Sequence, residues 1–282
     1  MSNSTPLWTK LGAFTPYFSR SQWLPMAAAY QALGLQLVQL SGELLDEAIE
    51  APGQLATVRR QLADHGLSVA ALGAYRNLIA ADPDRRRRNI AYIKACLEQA
   101  SALGAPIVST ETGTLHPSGD WSDTPENDSP AAWEALYRAL DELLPVAEKA
   151  QAVLALEGYV NNVLKTPDQV DEILRRYNSP HLKVMCDPYN YLTKALLPQS
   201  AQLADEFLGR FEQEFVVAHL KDVSPQGAEV DTPEFGLGVF PQAGYIKFLK
   251  TRRPDLPVIF EHLPLEHLPA AIDRLRAIAA AV

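Results

Sequence analysis

The sequence has little that would place the protein in an oxidising compartment, in a membrane or on a nucleic acid. Only 2 of its 282 residues are cysteines, too few for a disulfide framework, so we expect a protein of the reducing cytoplasm. No apolar run approaches the ~20 residues that cross a bilayer, and the first residues lack the features of a signal peptide. The formal net charge is −9, which is poorly suited to phosphate backbones. These absences predict an enzyme with a small-molecule partner, and neither a membrane nor a nucleic acid as partner.

Three segments in the first half share one pattern, in which a helical stretch ends, a glycine follows, and a short apolar run begins. The glycines are Gly34, Gly66 and Gly104. Glycine permits the positive φ that is common just past a helix. The spacing of the three is that of strand–helix–strand units, whose crossover needs a dozen or more residues.

Eight apolar runs are predicted to be strands separated by helices, and they lie at residues 10–14, 35–38, 67–72, 105–109, 153–156, 182–186, 215–220 and 257–260. An open doubly wound sheet shares this alternation, but its nucleotide-binding members carry a glycine fingerprint after the first strand. This chain has no such fingerprint. The count of eight predicts one α/β domain over residues 1–282, a single (β/α)8 TIM barrel. We expect a tail at about residues 1–8 and long loops at 115–129 and 223–239 on the active-site face.

The last four runs each end on a side chain that can bind a divalent ion, namely Glu157, Asp187, His219 and Glu261. Active sites of such barrels lie at the C-terminal ends of the strands, so the four are expected to converge. One of them alone would be an ordinary polar residue at a strand end. Four in succession predict a shared metal site, because crowded buried carboxylates need a cation or protons to offset their charge. Three carboxylates and an imidazole favour Mn²⁺, Mg²⁺ or Co²⁺, and Zn²⁺ also fits.

The stretches around these residues resemble a known family, and they are Leu156-Glu157-Gly158, Cys186-Asp187-Pro188-Tyr189-Asn190, His219-Leu220-Lys221-Asp222 and Phe260-Glu261-His262. They are similar to motifs of the xylose isomerase-like TIM barrels, specifically the sugar phosphate isomerase/epimerase group, which includes ketose 3-epimerases, hydroxypyruvate isomerase and inosose dehydratase. The resemblance extends over nearly the whole chain. It implies that Glu157, Asp187, His219 and Glu261 hold the metal, and that Glu157 and Glu261 also act as acid and base.

The sequence departs from the ketose 3-epimerases at two places. Those enzymes carry a histidine three residues after the metal-binding aspartate and an arginine in the loop after the strand-seven histidine. Here Asn190 stands at the first place, and residues 221–229 contain no arginine. An amide still hydrogen-bonds a sugar hydroxyl, so polyol recognition is expected while a strict ketose 3-epimerase is not. Endonuclease IV shares the fold, but it binds three zinc ions through many histidines, and this acidic chain has only 6.

The predicted site can perform proton transfer beside a carbonyl group. A divalent ion that grips a carbonyl and a neighbouring hydroxyl acidifies the adjacent C–H, because it stabilises the enediolate. Glu157 and Glu261 would remove and return the proton, which gives isomerisation or epimerisation. The sequence therefore predicts a sugar or sugar phosphate isomerase or epimerase. Protonation of a leaving hydroxyl gives the alternative, a dehydratase of a cyclitol ketone or related keto-acid, and a non-catalytic metal- or sugar-binding barrel is the third hypothesis.

Further side chains at strand ends are candidates for substrate binding, namely Asn190, Lys221, Arg76 and Glu111. Lys221 would stabilise a developing oxyanion, or it would pair with Asp222 or with solvent. Arg76 and Glu111 would anchor substrate hydroxyls or a carboxylate, or they would pair with each other. His262 is expected to point away from Glu261, because neighbouring residues of a strand alternate between its faces.

The surface offers one conspicuous feature, the run Arg85-Arg86-Arg87-Arg88. We expect it to form a solvated or subunit-contacting face, with phosphate binding as the alternative. Barrels of the resembling group often assemble as homodimers or homotetramers. The sequence identifies no interface.

Overall fold

The computed structural model describes residues 10–15, 18–226 and 230–282. Within them, eight parallel strands form a closed barrel in chain order, and the last strand pairs with the first. The predicted (β/α)8 barrel is therefore confirmed. The predicted tail at residues 1–8 and a small part of the predicted loop at 223–239 lie outside the described residues.

The strands are β1 (Leu11–Phe14), β2 (Leu37–Ser41), β3 (Ser68–Gly73), β4 (Ile107–Glu111), β5 (Val153–Glu157), β6 (Leu182–Cys186), β7 (Phe215–Leu220) and β8 (Val258–Phe260). Each overlaps one predicted run. The sequence placed the ends of β2 and β4 too early, because polar residues such as Gln39 and Thr110 interrupt the apolar pattern. Both side chains are nevertheless buried.

The helices are α1 (Trp23–Ala32), α2 (Glu43–Glu50), α3 (Leu55–Asp64), α4 (Pro83–Gln99), α5 (Pro130–Ala150), α6 (Pro167–Tyr177), α7 (Ser200–Arg210), α8 (Gln242–Thr251) and α9 (Leu268–Ala280). The glycines predicted to follow helical stretches, Gly34, Gly66 and Gly104, have φ angles of 77°, 69° and 77°. No helix in the described part of the chain is both long and apolar enough to cross a membrane.

Side chains of the last strands alternate between the barrel interior and the surrounding helices. Ala155, Met185, Val217 and Ile259 pack together in a cluster inside the barrel. Their sequence neighbours, such as Leu154, belong to the larger core between strands and helices. The residue two positions after each interior side chain faces the same way, one step nearer the C-terminal mouth. The four polar residues that lie two positions after these side chains, one on each of the last four strands, therefore face the interior at the C-terminal end of the barrel.

Candidate metal centre and substrate cavity

The four predicted ligands come together at the C-terminal end of the barrel interior. One ligand atom from each of Glu157, Asp187, His219 and Glu261 lies within 4.8 Å of the others. His219 Nδ1 is 3.3 Å from Glu157 Oε1, 3.2 Å from Asp187 Oδ2 and 3.5 Å from Glu261 Oε2. All four residues are buried. The strand alternation that fills the lower interior with apolar side chains thus brings these groups together.

Local structure orients the Asp187 carboxylate. Asp187 precedes the short turn Pro188–Tyr191, and its Oδ1 accepts hydrogen bonds from the backbone N–H groups of Tyr189 and Asn190, at 3.2 and 3.3 Å. This cap leaves Oδ2 directed toward His219 and Lys221. The carboxylate therefore has one oxygen committed to the fold and one facing the other ligands.

His219 is oriented from the opposite side of its ring. Its Nε2 lies 3.0 Å from Gln39 Oε1, so Nε2–H donates to the amide oxygen. Gln39 is held in turn, because its Nε2 donates to Ser109 Oγ at 3.1 Å. Metal-binding histidines commonly donate the second ring N–H to a protein acceptor in this way. The arrangement leaves Nδ1 as the nitrogen available to an ion.

Lys221 lies among the carboxylates. Its Nζ is 2.7 Å from Asp187 Oδ2 and 2.7 Å from Glu261 Oε2, and it donates to Asn190 Oδ1 at 2.8 Å. Asn190 Nδ2 donates to Glu157 Oε1 at 2.7 Å. The structure thus brings the predicted substrate-binding residues Lys221 and Asn190 into the cluster.

The alternative pairing of Lys221 with Asp222 is not what the structure shows. The Asp222 carboxylate accepts hydrogen bonds from the backbone N–H groups of Val223, Phe240 and Gly236, at 2.8, 3.1 and 3.0 Å. Asp222 therefore organises the loop after β7, while its neighbour Lys221 enters the cluster.

Burial and mutual charge shift the ionisation of the cluster. Burial, reinforced by the Glu261 and Asp187 carboxylates, raises the pKa of Glu157 to about 7 against the opposing effect of His219. Burial acts in the same direction on Glu261, but His219 and Lys221 outweigh it and lower the pKa of Glu261 to about 2. Burial disfavours the His219 cation, yet Glu261 and Glu157 hold the pKa of His219 well above its usual value. The carboxylates thus favour positive charge at their centre.

This donor set fits a divalent cation. Three carboxylates and one imidazole supply oxygen and nitrogen ligands of the kinds that Mn²⁺, Mg²⁺, Co²⁺ and Zn²⁺ accept. Their mutual approach under 4.8 Å gives them a common centre. Metal binding here requires a neutral imidazole, so it would release the His219 proton.

Tyr75 contacts the cluster, although the sequence did not single it out as a site residue. Its hydroxyl donates to Glu157 Oε2 at 2.6 Å, and its ring packs edge-on against Phe14. The residue lies just after β3, in the stretch 73–78. A tyrosine close to the end of a predicted strand was the signal that could have identified it as a site residue.

A cavity of about 520 Å³ opens beside the cluster. Phe14, Tyr75, Trp121 and Tyr159 supply its aromatic wall, and Glu261, Lys221 and Asn190 are among its polar lining residues. Pockets of about 300–1,000 Å³ with apolar walls and a few convergent polar groups are typical small-molecule sites. Trp121 comes from the predicted loop at 115–129 and Thr232 from the loop at 223–239, and both line this cavity.

Arg76 and Glu111 both line the cavity, but Arg76 forms its ion pair with Asp46. Arg76 Nη2 lies 2.7 Å from Asp46 Oδ1, so the suggested pairing with Glu111 is replaced by one with α2. Glu111 Oε2 is buried without a hydrogen-bond partner among the described residues. Burial, reinforced by Glu157, raises the pKa of Glu111 well above its usual value.

Two other sequence expectations have specific outcomes. His262 has a positive φ of 52°, which breaks the strand alternation, so its side chain lines the cavity with Nε2 3.7 Å from Glu261 Oε2. The expectation that it points away is wrong. In the arginine run, Arg85 pairs with Asp120 and Arg87 pairs with Asp84.

Comparison with known proteins places the fold in a family. The sequence model of the xylose isomerase-like TIM barrel matches residues 27–278, and a comparison with curated proteins finds no match. Among solved structures, 3-keto-D-glucoside 4-epimerase from E. coli is 18% identical, with a TM-score of 0.72 over 95% of this chain and 99% of that one.

Two further solved structures resemble the chain at similar identity. The probable 3-DHS dehydratase of Bacillus anthracis is 14% identical, with a TM-score of 0.74 over 95% of this chain and 99% of that one. A xylose isomerase-like TIM-barrel protein from Mycobacterium smegmatis in complex with magnesium is 18% identical, with a TM-score of 0.68 over 96% and 97%. These likenesses establish a shared fold.

Proposed function

Because the chain belongs to the xylose isomerase-like TIM-barrel family, we propose that it is a divalent-metal-dependent isomerase or epimerase of a sugar or related polyhydroxylated carbonyl compound. The observation that carries the proposal is the convergence of four ligand-capable residues within 4.8 Å of one another, beside a cavity of about 520 Å³. The proposal includes a cytoplasmic setting, with which the two buried free cysteines agree.

Glu157, Asp187, His219 and Glu261 would hold the ion, with manganese, magnesium or cobalt favoured and zinc as a further fit. When bound, a divalent ion polarises a substrate carbonyl and lowers the cost of negative charge on its oxygen. Related structures support metal binding in this fold, since the Mycobacterium smegmatis protein was solved with magnesium.

The protein's own residues would carry the proton. Glu157 and Glu261 lie at the ends of β5 and β8, and a proton removed by one and returned by the other reverses a stereocentre or moves a carbonyl. Tyr75 and Asn190 each donate to a different oxygen of Glu157, which fixes the carboxylate plane. The aromatic wall would shield the reacting carbon from water, and Asn190 and Glu111 would offer hydrogen bonds to hydroxyl groups.

A dehydratase is the second candidate, and Lys221 favours it. Its ammonium group is buried, lies 2.7 Å from Glu261 Oε2 and lines the cavity. If a carboxylate removed the proton next to the carbonyl and a proton were delivered from the Lys221 side to the neighbouring hydroxyl, the C–O bond would break, a C=C bond would form and water would leave. The Bacillus anthracis relative, described as a probable 3-DHS dehydratase, has the same fold.

The deciding experiment combines metal analysis with solvent exchange. Purified protein loaded with Mn²⁺, Mg²⁺ or Co²⁺ is incubated in D₂O with a panel of ketoses, aldoses and inososes, and products are followed by NMR. Deuterium entering a C–H next to the carbonyl without loss of water supports the isomerase or epimerase. Loss of water supports the dehydratase.

Variants connect the result to the site. Glu157→Gln should lower exchange by about 10²–10⁴-fold, the usual contribution of a general acid–base group. Glu214→Gln is the matched control, because Glu214 pairs with Lys183 at 2.6 Å near the opposite end of the barrel. Full exchange after chelation, or in Glu157→Gln, would contradict the proposed function.

A further inference from the structure

We propose that the cavity selects an uncharged, polyhydroxylated substrate and discriminates against phosphorylated or carboxylated analogues. The proposal rests on the proposed function and defines its substrate class. Its basis is the charge arrangement around the cavity, in which Arg76 is compensated by a carboxylate of the protein itself, and a buried oxygen of Glu111 has no hydrogen-bond partner among the described residues.

Arg76 is the side chain that would first be expected to bind an anion. Its Nη2 donates to Asp46 Oδ1 at 2.7 Å, and its Nη1 donates to the Tyr75 carbonyl at 2.9 Å. The guanidinium lies 4.1 Å from the ring centre of Tyr92, whose hydroxyl donates to the same Asp46 oxygen at 2.6 Å. Arg76 is thus held at the cavity wall with its charge already balanced by Asp46.

The other basic groups of the cavity wall are compensated in the same way. Lys221 contacts the carboxylates of Asp187 and Glu261, each at 2.7 Å. His262 Nε2 lies 3.7 Å from Glu261 Oε2. Among the described residues, each basic side chain that lines this cavity therefore faces a carboxylate of the protein. An anionic substituent at this wall would therefore give up its hydration to meet side chains whose positive charge is already offset.

Glu111 indicates what the cavity does accept. It ends β4, in register with Glu157 on β5, and its Oε2 is buried without a partner among the described residues. Buried polar atoms are normally hydrogen-bonded to protein or to water, so this oxygen is available to a ligand that can pair with it. A hydroxyl both donates and accepts, and it satisfies a carboxyl group in either protonation state.

The test removes the compensating charge without changing the shape. In Asp46→Asn, Arg76 keeps its neighbours but loses its counter-charge, so phosphorylated ligands should gain affinity. We measure binding to the magnesium-loaded protein by calorimetry for D-fructose and D-tagatose, for their 6-phosphates, and for inorganic phosphate. The expected gain for the phosphorylated ligands and phosphate is about tenfold, which corresponds to about 1.4 kcal/mol. The neutral sugars should bind Asp46→Asn as they bind the wild type.

Two controls locate the effect. The double variant Asp46→Asn, Arg76→Met should lose the gain, because the unpaired cation is gone. Glu142→Gln removes the partner of Lys94 on the outer surface, where the pair is 2.7 Å apart, and it should leave phosphate binding unchanged. A gain shared by all three variants would show a general charge effect and overturn the proposal.

The outcomes separate this proposal from the proposed function. A wild-type protein that binds either 6-phosphate more tightly than its neutral sugar overturns the substrate class, even if deuterium exchange succeeds. An Asp46→Asn variant without any gain for inorganic phosphate also overturns it. A tenfold gain through Arg76, in a protein that exchanges no proton with any sugar, would support the charge arrangement while the proposed function fails.

Discussion

The two ends of the barrel interior are built on the same strands, but one contributes to folding stability and the other carries the candidate metal centre. Ala155, Met185, Val217 and Ile259 form the apolar lower interior, and the residue two positions later on each strand belongs to the candidate metal centre. A step of two residues is about 6.6 Å along a strand. Burial that stabilises the lower interior makes the upper one depend on compensating charge. The residues that stabilise the fold and the residues of the candidate metal centre therefore lie at different positions along the same strands, and not on different secondary-structure elements.

The largest effect should come from removing the ammonium group in the upper interior. In Lys221→Met, the carboxylates of Asp187 and Glu261 lose the cation that each contacts at 2.7 Å. Breaking a buried pair by removing one partner costs about 3–5 kcal/mol, so the metal-free variant should unfold at lower urea. Saturating Mn²⁺ should recover part of the loss, because an ion offsets the same charge.

The matched control lies at the other end of the same barrel. Lys183 pairs with Glu214 at 2.6 Å, and both side chains are partly exposed. Since exposed pairs contribute about 0–1 kcal/mol, Lys183→Met should change stability little, with or without metal. Equal losses in the two variants would contradict the difference drawn between the ends of the interior.

The next effect concerns the hydrogen bond that orients Glu157. Tyr75→Phe removes the donor 2.6 Å from Glu157 Oε2. A hydrogen bond to a charged group contributes about 1.5–3 kcal/mol, so exchange in D₂O should slow by roughly 10- to 100-fold. Tyr177→Phe is the control, because that hydroxyl bonds to the Tyr137 carbonyl and to Asp141 on the outer helices. Unchanged exchange in Tyr75→Phe would show that the bond does not affect the chemistry.

The sequence predicted the barrel and the four converging residues because both depend on local patterns. A strand that ends on a charged residue is visible in the chain, and the closed barrel brings successive strand ends together. Glu157, Asp187, His219 and Glu261 could therefore be named without coordinates. The residue at each strand end also keeps the parity of the apolar positions before it, which fixes the side it faces.

The partners of those residues could not be predicted, because they come from strands and helices distant in the chain. Gln39 reaches His219 across the barrel from β2. Asp46 lies on α2 and pairs with Arg76, for which the sequence had suggested Glu111 as the partner. His262 does not follow the alternation of side chains along a strand, because its positive φ of 52° turns the chain at that residue. Side-chain contacts and backbone turns of this kind depend on the packed structure, not on local periodicity.

The smallest effect should come from the lower interior and should affect stability alone. Ile259 is fully buried, two residues before Glu261 on the same face of the chain. Ile259→Val removes one methylene and should lower the free energy of unfolding by about 0.5–1.5 kcal/mol. The loss should be the same with EDTA and with saturating Mn²⁺, because no charge changes, and metal affinity should stay within error by calorimetry. A loss that disappears with metal would mean that packing at Ile259 and coordination at Glu261 are coupled, so that the two ends of the interior act as one unit.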